Sequence, residues 1–415
     1  MSDDPRPPGS RSPILNVQEL LATGLSSDAA SAPPVPPTPV PDMPAPMRNR
    51  LTPPPALPPV PGVATEGRRR TARASNEEAA AGRSSAGSSP ADGDDGRPYR
   101  SIEDPVRFSR SHLWALQRAY FERTGVDAWR KNVVPHYVTS NPFIAQAYAQ
   151  QIIGFLRDLQ ARGLAGDNPV YILELGGGSG RFTFQVLYAL YDRMMRSSLR
   201  HVKLRYVFTD FAEKNLAFIA NHPQLRPFFE SGLLDVAAFD TVRDSRIHLR
   251  LNDEILGPSS LRNPLIVLAN YVFDSLPHDI FRIRNRAIHE VLIGLDAPAD
   301  VDEGDPALLP HVRLRNEDVP FEGAYYHDEA LDGVLEDYRQ GLDDVFITLP
   351  IGGFDCISRL ADLHEHRQLM LICADKGIHQ PADFDIELPP VGRHGSISMQ
   401  VNLDALGRVI ARRGG

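Results

Sequence analysis

Four glycines fall within five positions, at Gly176, Gly177, Gly178 and Gly180, directly after the apolar run YILEL. Glycine permits positive φ and lets a ligand come close to the backbone. The run before them, residues 171–175, reads as a central parallel strand. The run after them, RFTFQVLYALYDRMM (181–195), has apolar residues at helical spacing. Strand, glycine turn and helix N-terminus together describe a nucleotide-type cofactor site, with backbone N–H groups facing the ligand. A dinucleotide fingerprint needs its third glycine at position 181, where Arg181 stands. The pattern present is E-x-G-x-G-x-G, with Glu174 at its head.

Other candidate residues stand at the ends of further apolar runs. LRYVF (204–208) reads as a second strand ending at Thr209 and Asp210. An acid at that place can grip a ribose diol, and it can also cap the helix that follows. Phe211 is positioned to pack on an adenosine. LLDVAAF (233–239) reads as a third strand ending at Asp240, and residues 265–269 as a fourth. The fourth presents Asn270, Tyr271, Asp274 and Ser275 at the carboxyl edge, where open α/β sheets bind ligands. LMLICA (369–374) reads as a fifth strand ending at Asp375-Lys376-Gly377, and GSISMQVNL (395–403) as a further one. Residues 281–283 and 288–293 flank Arg284-Asn285-Arg286 as a β-hairpin.

Two helices must support this arrangement. Residues 111–123 carry Leu113, Trp114, Gln117, Tyr120 and Phe121 on one side, with Ser111 as N-cap. Residues 142–160 follow Asn141 as N-cap, with Pro142 at the first helical position. The connecting PHYVTSN holds Tyr137, Thr139 and Ser140, which read equally as caps or as functional groups. Residues 297–344 are acidic and weakly patterned, an insertion near the substrate or plain surface. A seven-stranded sheet needs one more strand pair, so either the sheet is short at its edge or the chain lacks its end.

Composition bounds the rest. The chain has 415 residues, and its first hundred hold 20 of the 37 prolines. Such a stretch buries too little apolar surface to offset its chain entropy, so residues 1–100 are expected to be a disordered tail. PILNVQELLATGL (13–25) is a weak helix candidate within it, and Arg68, Arg69 and Arg70 form a small cluster read as solvated. The expected organisation is this tail, an N-terminal helical segment over 101–165 that packs on the catalytic domain, and the catalytic domain over 166–415. No signal peptide or membrane-spanning run is visible. Cys356 and Cys373 are the only cysteines, which gives neither a disulfide framework nor a zinc spacing. A net charge of −9 gives no support for nucleic-acid binding. The expectation is a cytoplasmic protein without a bound metal.

The glycine pattern resembles the first motif of class I methyltransferases, which bind S-adenosyl-L-methionine. That resemblance implies an α/β, Rossmann-like sheet with helices on both faces. It implies that Glu174 helps hold the loop and the positive end of the cofactor, and that Asp240 accepts from the adenine amino group. The order of pieces from about 130 to 406 is similar to the MidA family, linked to respiratory complex I assembly, whose eukaryotic members are protein-arginine methyltransferases. YVTSNPFIAQAYAQ, ILELGGGSG, LANYVFDSLPHDIFRI, LICADKG and SISMQVNLDAL carry this resemblance. It implies Glu174, Gly176, Gly178, Gly180 and Asp210 as cofactor residues and Asn270 and Asp274 beside the transferred methyl, with Asp279 a second acid near the acceptor. The family's glutamate after the asparagine is Tyr271 here, and its D-Y-G tyrosine is Lys376. The implied activity is methyl transfer to a protein side chain, arginine by the resemblance. Alternatives are an oxygen, amine or carboxylate acceptor, a non-catalytic cofactor-binding assembly factor, and a nucleotide-binding dehydrogenase.

Overall fold

The computed structural model describes residues 97–130, 140–164, 167–302, 305–389, 391–393 and 396–415. Residues 1–96 of the expected tail, with its helix candidate and arginine cluster, and Tyr137 and Thr139 lie outside the described residues, while Tyr99 and Arg100 of that tail already belong to a strand. The chain enters through strand β1 (Tyr99–Arg107) and helix α1 (Leu113–Thr124). The segment expected to be helical therefore opens with a strand before its first helix. The N-cap of α1 is His112 and carries no side-chain cap, so Ser111 is not the cap expected; its Oγ accepts from Leu113 N–H at 3.2 Å just before the helix. Helix α2 (Pro142–Arg162) starts as expected, with Asn141 Oδ1 accepting from Ile144 N–H at 3.0 Å.

Next come β2 (Val170–Leu175), α3 (Arg181–Met195), β3 (Leu204–Asp210), α4 (Glu213–Ala220), β4 (Leu234–Ala238) and β5 (Leu265–Asn270). They are followed by β6 (Asp279–Arg284), β7 (Ala287–Pro298), β8 (Arg313–Pro320) and α5 (Glu329–Gly341). The chain closes with β9 (Val345–Leu349), α6 (Ile351–Ala361), β10 (Leu369–Ala374) and α7 (Leu403–Arg412). Strands β10-β5-β2-β3-β4 form one parallel sheet in that order. All five strands expected from the sequence are in it. Strand order reverses between β2 and β5, and the crevice above such a switch point is where open α/β sheets take ligands.

Strands β1, β6, β7, β8 and β9 make a second, antiparallel sheet. The twelve-residue β7 pairs with β1, β6 and β8, and β9 pairs with β6. The expected hairpin joins β6 to β7, and Asn285 and Arg286 both adopt positive φ, as a two-residue hairpin turn requires. The stretch 297–344 is thus no loose insertion, since it holds β8 and α5. The expected strand over 395–403 shrinks to two-residue bridges at Ile397–Ser398 and Val401–Asn402 before α7.

Alternation in the strands divides the core. Ile172, Phe208, Ile266 and Leu268 pack under α2, α3 and α4 with Ile152, Val186 and Leu216. Leu173, Val207, Val267 and Ala269 face the other way, onto Phe281, Leu331, Phe354 and Val409. Helices thus cover one face, while α5, α6, α7 and the antiparallel sheet cover the other. A third cluster packs α1 residues Leu113, Leu116 and Tyr120 on Val291, Ile293 and Leu295 of β7. This last contact brings α1 beside the carboxyl edge of the parallel sheet. No described helix is long and apolar enough to cross a membrane.

Candidate active site

The glycine loop leaves β2 in a conformation that suits few other residues. Gly176, Gly178 and Gly180 have φ of 55°, 57° and 68°, in the left-handed region that side chains disfavour. Gly177 is constrained by space instead, because a Cβ there would lie 2.2 Å from Phe208 Cε2. Gly177 N–H donates to Thr209 O at 2.9 Å, and Gly178 N–H donates to Asp210 Oδ2 at 3.1 Å. The loop is thus pinned to the end of β3.

Glu174 and Asp210 hold this junction from inside. Glu174 is 4% exposed, and its Oε2 accepts from Thr183 Oγ1 at 2.6 Å and Tyr206 Oη at 2.8 Å. Burial pushes the Glu174 carboxyl up to about 7, against the pull of those two hydroxyls. Asp210 Oδ1 accepts from Ala212 N–H at 2.8 Å, and Oδ2 accepts from Asn215 Nδ2 at 2.9 Å. Burial raises the Asp210 carboxyl even so. Asn215 is itself buried, and its Oδ1 has no hydrogen-bond partner among the described residues.

Two cavities open above these groups. One of about 290 Å³ is lined by the glycine loop, Phe182, Asn270, Asp274 and Lys376. The other, of about 220 Å³, is lined by Trp114, Arg118, Asp210, Phe211, Asn215 and Asp240. Phe121, Gly176, Tyr271 and Ser275 line both, so these are two lobes of one cleft. Each lobe is close to the lower end of the size range of small-ligand sites.

Asp274 lines the larger lobe, and Asp375 meets its backbone. Asp375 Oδ2 accepts from Phe273 N–H at 2.9 Å and Asp274 N–H at 3.4 Å, while Oδ1 has no partner among the described residues. Asp274 Oδ1 accepts from Ser275 Oγ at 2.8 Å. Burial raises both carboxyls, and the Asp274 charge raises Asp375 further, while Lys376 pulls Asp274 down. Tyr148 Oη donates to Asn270 Oδ1 at 2.8 Å, and burial keeps that phenol protonated.

Helix α1 closes the smaller lobe. Arg118 Nη1 meets Asp240 Oδ2 at 2.5 Å, and its guanidinium stands 4.8 Å from the centre of the Phe211 ring. Gln117 Nε2 donates to Ser275 O at 3.0 Å, and its Oε1 accepts from Ile397 N–H at 2.7 Å. That side chain ties α1 to both the loop after β5 and the segment before α7.

Most of the expected site residues converge. Glu174, Gly176, Gly178, Asn270 and Asp274 line the larger lobe, and Asp210, Phe211 and Asp240 the smaller. Ser140 joins the larger lobe. Two do not line the cleft. Gly180 is the N-cap of α3, its N–H donating to Gly177 O at 3.0 Å. Asp279 sits on β6 in the antiparallel sheet, where its Oδ1 accepts from Ser109 N–H at 3.0 Å and its Oδ2 from Tyr326 Oη at 2.9 Å. An acid saturated in this way and turned from the cleft does not stand beside an acceptor there. Five residues that bear on the site were missed by sequence reasoning: Asp375, Lys376, Tyr148 and the α1 residues Trp114 and Arg118. Asp375 had a signal, since it ends a strand as Asp210 does.

Residues 148–345 match the family Methyltransf_28, described as "Putative S-adenosyl-L-methionine-dependent methyltransferase". No curated protein matches the chain. Among solved structures, an uncharacterized protein of Burkholderia thailandensis is 15% identical with a TM-score of 0.46, over 75% of this chain and 71% of that one. Another from that organism, solved with S-adenosyl-homocysteine, is 15% identical with a TM-score of 0.44, over 75% and 72%. The DszA carbon methyltransferase is 22% identical with a TM-score of 0.25, over 39% of each chain.

Proposed function

We propose that this S-adenosyl-L-methionine-dependent methyltransferase methylates a nitrogen of an arginine side chain in a protein substrate. The observation that carries the proposal is buried Asp274, which lines the larger lobe beside Asn270, with Asp375 hydrogen-bonded to its backbone at the carboxyl edge of the parallel sheet. The cleft suits the cofactor: the glycine loop gives close backbone approach, and the buried Asn215 Oδ1 lacks a donor in the smaller lobe. We assign the smaller lobe to the adenosine, with Asp210 at the ribose, Phe211 on the base and Asp240 near its amino group. The larger lobe then takes the methionine end and the acceptor.

Bound there, the cofactor supplies an electrophilic methyl on a sulfonium. A guanidinium is fully protonated near neutral pH, with a pKa above about 12, and is a poor nucleophile until its charge is localised and a proton removed. Carboxylates meet both needs, since they bind guanidinium N–H groups in pairs and accept a proton. The acceptor nitrogen takes the methyl as the methyl–sulfur bond breaks toward sulfur, and the nitrogen's proton passes to Asp274 or Asp375. Asn270, steered by Tyr148, fixes the acceptor's position.

The test incubates the full chain with methyl-labelled cofactor and a mixture of arginine-containing proteins, then hydrolyses the products. Label in methylarginine, lost at least a hundredfold in Asp274→Asn with cofactor affinity unchanged, supports the assignment. Label on any other side chain refutes it. One observation favours a second reading: Lys376 lines the same lobe and would repel a guanidinium while balancing one acid. That reading predicts a neutral oxygen or amine acceptor, or cofactor binding without turnover.

A further inference from the structure

Tyr271 stands where the two lobes of the cleft meet. It lines both, together with Phe121, Gly176 and Ser275. Its backbone is in the left-handed region at φ 53°, held by its N–H donating to Ala374 O at 3.0 Å. A tyrosine in that region is costly and persists only where its surroundings impose it. The strain turns an aromatic residue to the junction instead of letting β5 run on. A ligand with its adenosine in one lobe and its amino acid in the other must place its sulfur at this junction. In the reactant that sulfur is cationic; in the product it is a neutral thioether. Aromatic faces attract compact cations, more strongly where water is excluded. Tyr271 is half-buried and Phe121 is a second ring lining both lobes.

We infer that Tyr271 seats the cofactor's sulfonium against its ring, so that the cleft binds the charged methyl donor in preference to the neutral product. The inference rests on the S-adenosyl-L-methionine assignment of the cleft. It gives the residue a positioning role, aiming the methyl toward Asn270 and Asp274, and a role in product release, because the attraction ends when the charge is lost.

The experiment is calorimetric titration of the full chain with S-adenosyl-L-methionine and S-adenosyl-homocysteine, comparing wild type, Tyr271→Phe and Tyr271→Leu. Tyr271→Leu is expected to weaken the charged ligand by about 2- to 30-fold, the usual range for such contacts, and to leave the neutral one unchanged. Tyr271→Phe should keep the wild-type ratio. If the leucine variant does not fold, 3,4,5-trifluorophenylalanine at 271 replaces it; that ring keeps the shape of phenylalanine with a depleted face, and should lose the same preference. Equal weakening of both ligands overturns the inference and leaves the cofactor assignment standing. Binding of neither ligand by the wild type overturns both.

Discussion

Glu174 carries a charge that the fold does not balance, and this can be measured without any substrate. Among the described residues its carboxyl has no cation beside it, only the hydroxyls of Thr183 and Tyr206, both on Oε2. Burial raises it from 4.5 to about 7, so the folded protein holds this proton more tightly than the unfolded chain. The stability it contributes is full below about pH 4.5, falls as pH rises, and is gone above about 7. The gap corresponds to about 3 kcal/mol at about 1.4 kcal/mol per pKa unit, of which about 2 kcal/mol lies between pH 5 and 8.5. Glu174→Gln keeps an oxygen for both hydroxyls and cannot ionise. Urea unfolding of both proteins at pH 5 and pH 8.5 should therefore show the wild type losing about 2 kcal/mol more than the variant across that range. Other titrating groups cancel in the double difference. Equal losses in the two proteins would mean that Glu174 is hydrated or paired when ionised, and the account of the loop's support would fail.

Two further outcomes follow from the cleft. Gly177→Ala places a methyl 2.2 Å from the buried Phe208 ring, so it should cost about 1–3 kcal/mol of stability and weaken cofactor binding. Gly154→Ala, in α2 with nothing within 4 Å of the added atom, should instead stabilise by up to about 1 kcal/mol; thermal melts and titrations of both variants check the contrast. Turnover should rise with pH, since the acid that accepts the proton must be ionised and burial holds both Asp274 and Asp375 above the ordinary carboxylate range. Asp375→Asn removes the neighbouring charge and should move the inflection of the pH–rate profile to lower pH. An inflection that stays in place would separate the pair from the proton transfer.

The parallel sheet was legible because its strands read as mostly apolar runs ending in glycine, Asp210, Asp240, Asn270 and Asp375, with β2 and most of β5 buried on both faces. The antiparallel sheet was legible only at its hairpin. Strand β1 (YRSIEDPVR) is half-exposed and charged, and β8 (RLRNEDVP) has five polar or charged residues in eight, so neither shows the period that marks a strand. Their pairing with β7 is decided by tertiary contact. Asp279 shows the limit from the other side. The resemblance puts an acid two places after Pro277, but local sequence does not say that its strand turns the carboxylate to Ser109 and Tyr326.

That same second sheet explains why the cleft has a roof. An open parallel sheet leaves its carboxyl edge exposed to water, and a methyl transfer needs its partners held together and water kept out. Here β7 supplies the apolar platform on which α1 packs through Leu113, Leu116 and Tyr120. The adjoining face of α1 then delivers Gln117, Arg118 and Phe121 to the cleft, more than 50 residues before the glycine loop in the chain. Arg118 closes on Asp240 across that gap, so the acid expected to read the adenine already holds a partner. With adenosine assigned to that lobe as proposed, its entry requires Asp240 to share its oxygens with Arg118 or α1 to give way. This couples cofactor binding to the packing of α1 on the antiparallel sheet, and not to the glycine loop alone.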